Sequence, residues 1–257
     1  MSPAASASAR HVLITGASRG LGRALALAFA SGGATIGVHF AHDAAAAGET
    51  AAAVRRAGAA VYMVQADFTA RDAVEAVAEA VRGTRLPLDV LILSAGVAVS
   101  APLTGTTEAD WDRTIAVNYR APVLLLNALE DCLRRGGHVL AVGSLVGIRG
   151  AAGLAAYAAS KGALLGFVRD AAARMGGLGI CVNGVVPGLL QTDMMRAVPQ
   201  AQFDAMAAEN VLGRANSCDD VARAVTLIAS MGPVSGQLFS LDSRLHPDGR
   251  LTAEKGT

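Results

Sequence analysis

The chain has 257 residues, of which 53% are hydrophobic and 17% charged. So much apolar side chain excludes a disordered chain, and the length suits one α/β domain. A formal net charge of +1 excludes a nucleic-acid or anionic-membrane binder that relies on bulk charge.

No run approaches ~18 unbroken apolar residues, so no membrane span is expected. Cys132, Cys181 and Cys218 are too few and too scattered for a disulfide framework or a cysteine metal site, which fits a cytoplasmic setting. The five histidines show no paired ligand spacing, so no metal is expected. Residues 1–9 read as a disordered lead-in, 10–245 as one dinucleotide-binding catalytic domain, and 246–257 as a polar tail.

Short apolar runs alternate with helical patterns along the chain. Strands are predicted at His11–Thr15, Thr35–Phe40, Val61–Gln65, Val90–Leu93, Val139–Val142, Ile180–Val186 and Gln237–Leu241. Helices are predicted at Leu21–Ala30, Ala44–Arg56, Ala70–Val81, Asp110–Arg134, Leu154–Met175 and Asp219–Ala229. Such alternation implies right-handed βαβ crossovers and a doubly wound parallel sheet of Rossmann type in a single domain. Ligands in such folds lie beyond the carboxyl ends of the strands.

Thr15-Gly16-Ala17-Ser18-Arg19-Gly20-Leu21-Gly22 joins the first strand to the first helix. Glycines there permit a tight turn and let the backbone approach a pyrophosphate seated on the helix N-terminus. No Lys-Ser/Thr follows the last glycine, which excludes a P-loop. The second strand ends in His39-Phe40-Ala41-His42-Asp43, without the acid that an NAD site places there for the ribose 2′-OH. Asp43 comes late and is equally read as the cap of the next helix. Arg19 is placed to pair with a 2′-phosphate, with His42 as a weaker second contact. The reading is therefore NADP.

Tyr157 and Lys161 stand four apart in a predicted helix and so share one face. Lysine occurs at only two positions, Lys161 and Lys255, against 22 basic residues in all, which sharpens the pairing. A free phenol, with a pKa of about 10, is almost wholly protonated at neutral pH. A neighbouring ammonium is expected to lower that pKa and make Tyr157 a proton donor or acceptor at a carbonyl oxygen. Lys161 can also donate to a cofactor ribose. Ser144, at the end of the fifth strand, is a candidate donor to the same oxygen or simply a turn residue. Asn118 lies in the long predicted helix, where Asn is a mediocre helix former. It is read as a proton-relay post or as a local side-chain-to-backbone bond.

Across roughly residues 10–242 the chain resembles the short-chain dehydrogenase/reductase family, most of all bacterial 3-oxoacyl-acyl-carrier-protein reductases. The Thr-Gly-x-x-x-Gly-x-Gly loop falls at Thr15–Gly22. Ser144, Tyr157 and Lys161 match the family's catalytic set, with Asn118 as the fourth member. Pro187-Gly188 and Thr192-Asp193-Met194 match the segment that covers the nicotinamide.

The resemblance implies that Gly16, Ser18, Arg19, Gly20, Leu21 and Gly22 hold the phosphates and ribose. Asp67 and Phe68 would flank the adenine, and Ala95 and Gly96 would line the cleft floor. Ser94 stands beside them where the family has Asn. Tyr157 and Lys161 would meet the nicotinamide ribose, and Pro187, Gly188 and Thr192 the carboxamide. A second departure is Leu241-Asp242-Ser243-Arg244, in place of the usual Val-Asp-Gly-Gly.

The expected activity is NADPH-dependent reduction of a carbonyl, a 3-oxoacyl thioester or related ketone, with Tyr157 as general acid. It would serve fatty acid or polyketide metabolism. The alternatives are NAD-dependent oxidation of a sugar, polyol or steroid alcohol, or a non-catalytic cofactor sensor. The substrate is read as a small molecule or carrier-protein-bound carbonyl, and self-association as a homotetramer, with a homodimer as the alternative. Met194, Met195, Phe203 and Met206 mark Leu189–Leu212 as a flexible lid or as an ordinary packed helix.

Overall fold

A computed structural model describes residues 10–196 and 198–244; the lead-in and the tail lie outside the described residues. Seven strands, β1 (His11–Ile14), β2 (Thr35–Phe40), β3 (Ala60–Gln65), β4 (Leu88–Leu93), β5 (Leu133–Val142), β6 (Cys181–Val186) and β7 (Leu238–Ser240), form one sheet. Their order is β3-β2-β1-β4-β5-β6-β7, and every pair is parallel. The order reverses between β1 and β4, which opens a crevice at their carboxyl ends.

Period-two alternation divides each central strand between two cores. Val12, Ile14, Ile36, Val38, Val90 and Ile92 pack on one face, with Leu25 and Phe29 of α1 (Gly20–Phe29), Val54 of α2 (Ala44–Arg56) and Val225 of α9 (Cys218–Ile228). Leu13, Leu91 and Leu93 pack on the other, with Val77 and Val81 of α3 (Ala73–Gly83), Leu125 of α5 (Ala121–Ala128) and Leu164 and Val168 of α7 (Ala155–Gly176). Each such buried side chain is worth about 1.5–3 kcal/mol relative to exposure. The sheet is thus clamped from both sides, and its carboxyl edge is a rigid platform for the loops.

The predicted helix Asp110–Arg134 is corrected. The chain instead forms α4 (Glu108–Ile115), a π segment at Ala116–Arg120, and α5. Leu125, Leu129 and Leu133 keep a helical spacing, but Leu133 pairs with Leu88 and begins β5. Tertiary pairing overrides the local period there. Of two further short helices, α6 (Val146–Arg149) carries no clear sequence signal, and α8 (Gln200–Ala208), with Phe203 and Ala207 buried, is the packed-helix alternative within Leu189–Leu212. Among the described residues no helix is long and apolar enough to cross a membrane.

Candidate active site

The loop after β1 is drawn tight by close approach. A Cβ on Gly22 would stand 2.0 Å from the Gly16 carbonyl oxygen, and one on Gly16 would stand 2.8 Å from Ala95 Cα. Gly16 also sits at φ 68°, a conformation costly for any other residue. Thr15 fastens the loop to β4: its hydroxyl oxygen accepts from the N–H groups of Ser94 and Ala95, each at 2.9 Å. The Thr50 hydroxyl donates to the Ser18 carbonyl at 2.9 Å. Among the described residues the N–H groups of Ser18, Arg19, Gly20 and Leu21 find no protein acceptor. Four donors at a helix N-terminus make a seat for phosphate.

β2 ends at Phe40, and Asp43 does cap α2, accepting from the Ala46 N–H at 2.9 Å. Arg19 lies exposed between two carboxylates, Nε 3.2 Å from Asp193 and Nη1 3.8 Å from Asp43. His42, assigned to the 2′-phosphate, and Asp67, assigned to the adenine, meet: His42 Nε2 is 3.3 Å from Asp67 Oδ2. The Asp67 carboxyl is held below its ordinary pKa, chiefly by the Thr69 N–H bonded to it. Phe68 is turned inward, buried and stacked on His39 with ring centroids 4.4 Å apart.

The catalytic candidates converge on the other side of the cleft. The Asn118 side chain, in the π segment, accepts from Val97 N–H and donates to Val97 C=O, both at 2.8 Å; it also donates to Ser160 Oγ at 3.0 Å. Its side chain is a brace between the end of β4 and α7. A Cβ placed on Gly96 would lie 3.5 Å from Asn118 Oδ1 and 3.6 Å from Lys161 Nζ, so both groups border the cleft floor. The buried Lys161 donates from Nζ to the Val142 carbonyl at 2.7 Å. Burial pulls its pKa down to about 8.

The expectation that Lys161 lowers the Tyr157 pKa is corrected. Burial pushes the phenol up, and the neighbouring Ser144 hydroxyl is what opposes that rise. Lys161 Nζ stands 5.9 Å from the Tyr157 ring centre, with one of its three N–H donors on the Val142 carbonyl. Desolvation of the phenolate therefore outweighs the distant charge. Ser144 meanwhile accepts from the Val146 N–H at 3.2 Å.

On the substrate side, Pro187 is buried and its carbonyl accepts from Asn216 Nδ2 at 2.9 Å. The same amide reaches the Leu241 carbonyl at 2.6 Å. A Cβ on Gly20 would stand 3.5 Å from Thr192 Cγ2, so Thr192 overhangs the glycine loop beside Arg19 and Asp193. Leu189, Phe203 and Ala207 form a small cluster of their own, with Met195, Val198 and Met206 against it. Met194 is exposed. Arg149 of α6 pairs with Glu209 beyond α8 at 3.7 Å. The unusual Asp242-Ser243-Arg244 segment folds on itself in a buried ion pair at 2.6 Å, and the Ser243 hydroxyl donates to Asn210 Oδ1 at 2.8 Å.

The structure thus gathers Ser144, Tyr157 and Lys161 near Gly96 and Asn118, and it sets the glycine loop opposite Thr192. The motifs missed Ser160, which links Asn118 to the Tyr157 carbonyl through a bond of 2.8 Å. They also missed His39, whose only signal is a polar residue inside an apolar strand.

The family model for short chain dehydrogenases matches residues 10–203. The chain belongs to the short-chain dehydrogenase family. Within that family it is similar to a 3-oxoacyl-[acyl-carrier-protein] reductase of Escherichia coli, 33% identical over 221 residues, covering 85% of this chain and 88% of that protein. It is also similar to a hydroxynaphthalene reductase of Aspergillus fumigatus, 30% identical over 248 residues, covering 91% of each. A short chain dehydrogenase from Burkholderia cenocepacia, solved in complex with NADP, superposes with a TM-score of 0.86 at 32% identity, covering 91% of this chain and 96% of that one. The sequence-based resemblance to 3-oxoacyl-acyl-carrier-protein reductases is borne out, and this short-chain dehydrogenase is an oxidoreductase with a Rossmann-like fold.

Proposed function

We propose that this short-chain dehydrogenase reduces a carbonyl to a secondary alcohol with NADPH, the carbonyl being a 3-oxoacyl thioester or a related ketone. The observation that carries the reading is the convergence of the half-buried Tyr157 with Ser144 and Lys161 beside the cleft floor at Gly96, where burial keeps the phenol protonated. A group that must donate a proton to a nascent alkoxide is best kept protonated until the moment of transfer. Arg19, together with the absence of an acid at the end of β2, fits a 2′-phosphorylated dinucleotide.

When bound, that cofactor supplies the hydride that goes to the carbonyl carbon. Ser144 and Tyr157 hold the carbonyl oxygen by hydrogen bonds, and Tyr157 gives its hydroxyl proton to it. Lys161 is mostly protonated below about pH 8 and would donate to the cofactor ribose. Asn118 keeps the cleft floor in register with α7 through Val97 and Ser160. Thr192, Pro187 and Gly188 border the nicotinamide end, and the Leu189–Leu212 segment covers the apolar part of the substrate. A homotetramer belongs to the same proposal, with light scattering as its measure.

The test is NADPH consumption against a panel of acetoacetyl thioesters, free ketones and cyclic ketones, repeated with NADH. The expected result is turnover with at least one carbonyl and a preference for NADPH that falls roughly tenfold in Arg19→Ala, the scale of one lost charge-assisted contact. Turnover only with NAD+ and an alcohol, in the oxidative direction, would reject the reading.

A further inference from the structure

The first three N–H groups of the glycine loop all point into the protein. Thr15 donates to the Ile92 carbonyl of β4 at 3.0 Å, Gly16 to the ring of His39 at 3.1 Å, and Ala17 to the backbone carbonyl of His39 at 2.8 Å. Two of the three therefore end on one residue of β2, and one of those two ends on a side chain. That acceptor is fixed in form. Gly16 N–H donates to Nδ1, so Nδ1 carries no proton. Nε2 carries it and donates to the Ala66 carbonyl at 2.9 Å. The ring is buried at 2% exposure and stacked on Phe68, with an interplanar angle of 18°. It has no freedom to turn away.

We infer that His39 is a positioning residue for the cofactor: its ring holds the Gly16 N–H inward and thereby sets the turn that leaves the N–H groups of Ser18 to Leu21 facing the pyrophosphate. A loop of this kind needs its early donors satisfied internally; otherwise they compete for the ligand or let the turn relax. A backbone carbonyl can accept one donor of a tight turn but not the next, because its direction is set by the strand. The imidazole extends sideways from β2 and reaches the second donor. The same ring ties the turn after β3, through Ala66, to the glycine loop. The two stretches assigned to the phosphates and the adenine thus share one rigid spacer.

This inference rests on the cofactor reading above. The experiment measures the equilibrium affinity of NADP+ by titration calorimetry for the wild type, His39→Asn and His39→Phe. Asn Oδ1 sits close to where Nδ1 is and accepts from Gly16, but cannot reach Ala66. Phe keeps the stack on Phe68 and accepts nothing. Both variants lose the Ala66 bond, so any general loosening of β2 is common to them.

The expected result is affinity within about threefold of wild type for Asn and a loss of roughly tenfold or more for Phe, the scale of leaving one buried donor unpaired. Equal weakening in both variants, or no weakening in Phe, would overturn the inference. Should Phe fail to fold, His39→Val replaces it as the variant without an acceptor, with the same two outcomes. A wild type that binds no NADP+ would defeat the cofactor reading itself. The separate kinetic expectation is a raised KM for NADPH with kcat little changed in the Phe variant, as suits a residue that touches no reacting atom.

Discussion

The two banks of the cleft are held by different means. On the cofactor bank, Thr15, His39 and Thr50 are buried, and each bonds the backbone of a neighbouring segment. Those bonds sit directly on the two large cores of the sheet. On the substrate bank, Leu189, Phe203 and Ala207 make a small cluster with no share in either large core. Its ties to the body are single contacts such as Arg149–Glu209 and Ser243–Asn210. The comparison teaches that precision is invested where the ligand's shape is constant, and that the bank facing a variable substrate is lightly fastened.

The strongest blow to the cofactor bank is Gly22→Ala. Its Cβ would stand 2.0 Å from a backbone oxygen that belongs to the turn itself. Overpacking of this kind costs about 1–3 kcal/mol, so NADP+ affinity should fall roughly 10- to 100-fold in calorimetry. Unchanged affinity would mean that the turn is not as tight as described.

A second probe is acid. His39 is neutral in the fold, with its pKa lowered to about 4 by burial, against which its Ala66 bond and the Asp67 charge act more weakly. The unfolded chain, with a His pKa near 6.5, binds more protons between those values, so stability rises with pH in that window. Moving from above pH 6.5 down towards pH 4 should remove up to about 3 kcal/mol through this group. Thermal melts at stepped pH should show a shallower fall in His39→Asn; equal slopes would contradict the neutral, doubly bonded ring. His11 and His138 are also lowered by burial and add a background common to both proteins.

The smallest expected effect sharpens the contrast. Met194 is exposed on the substrate bank, so Met194→Ala should leave stability within about 0.5 kcal/mol. It should instead raise KM for an apolar carbonyl, measured by steady-state kinetics, while KM for NADPH stays put. A change in KM for NADPH alone would place Met194 on the other bank.

The cofactor bank was the legible one. Its strands are continuous apolar runs, its loop is dense in glycine between a strand and a helix, and its Tyr157–Lys161 pair stands out in a chain nearly without lysine. What escaped was long-range. Leu133 continues a helical period and yet pairs with Leu88, because the sheet offers it a partner 45 residues back in the chain. His39 has no motif, because its role is set by Gly16 and Ala66, which no local pattern connects to it. The Tyr157 phenol was expected to fall and instead rises, since its burial depends on how α7 packs and not on the spacing of Tyr and Lys. α8 carried no signal distinguishing it from a mobile segment, as its partners are a handful of residues within the same bank.

Everything about the chemistry depends on Tyr157 as the proton donor. The most direct test is Tyr157→Phe, assayed for carbonyl reduction at saturating NADPH alongside calorimetric binding of NADP+. The account predicts that turnover falls about 100- to 10,000-fold, the range for a lost general acid, while binding stays within about threefold. Turnover retained in that variant, with binding intact, would contradict it.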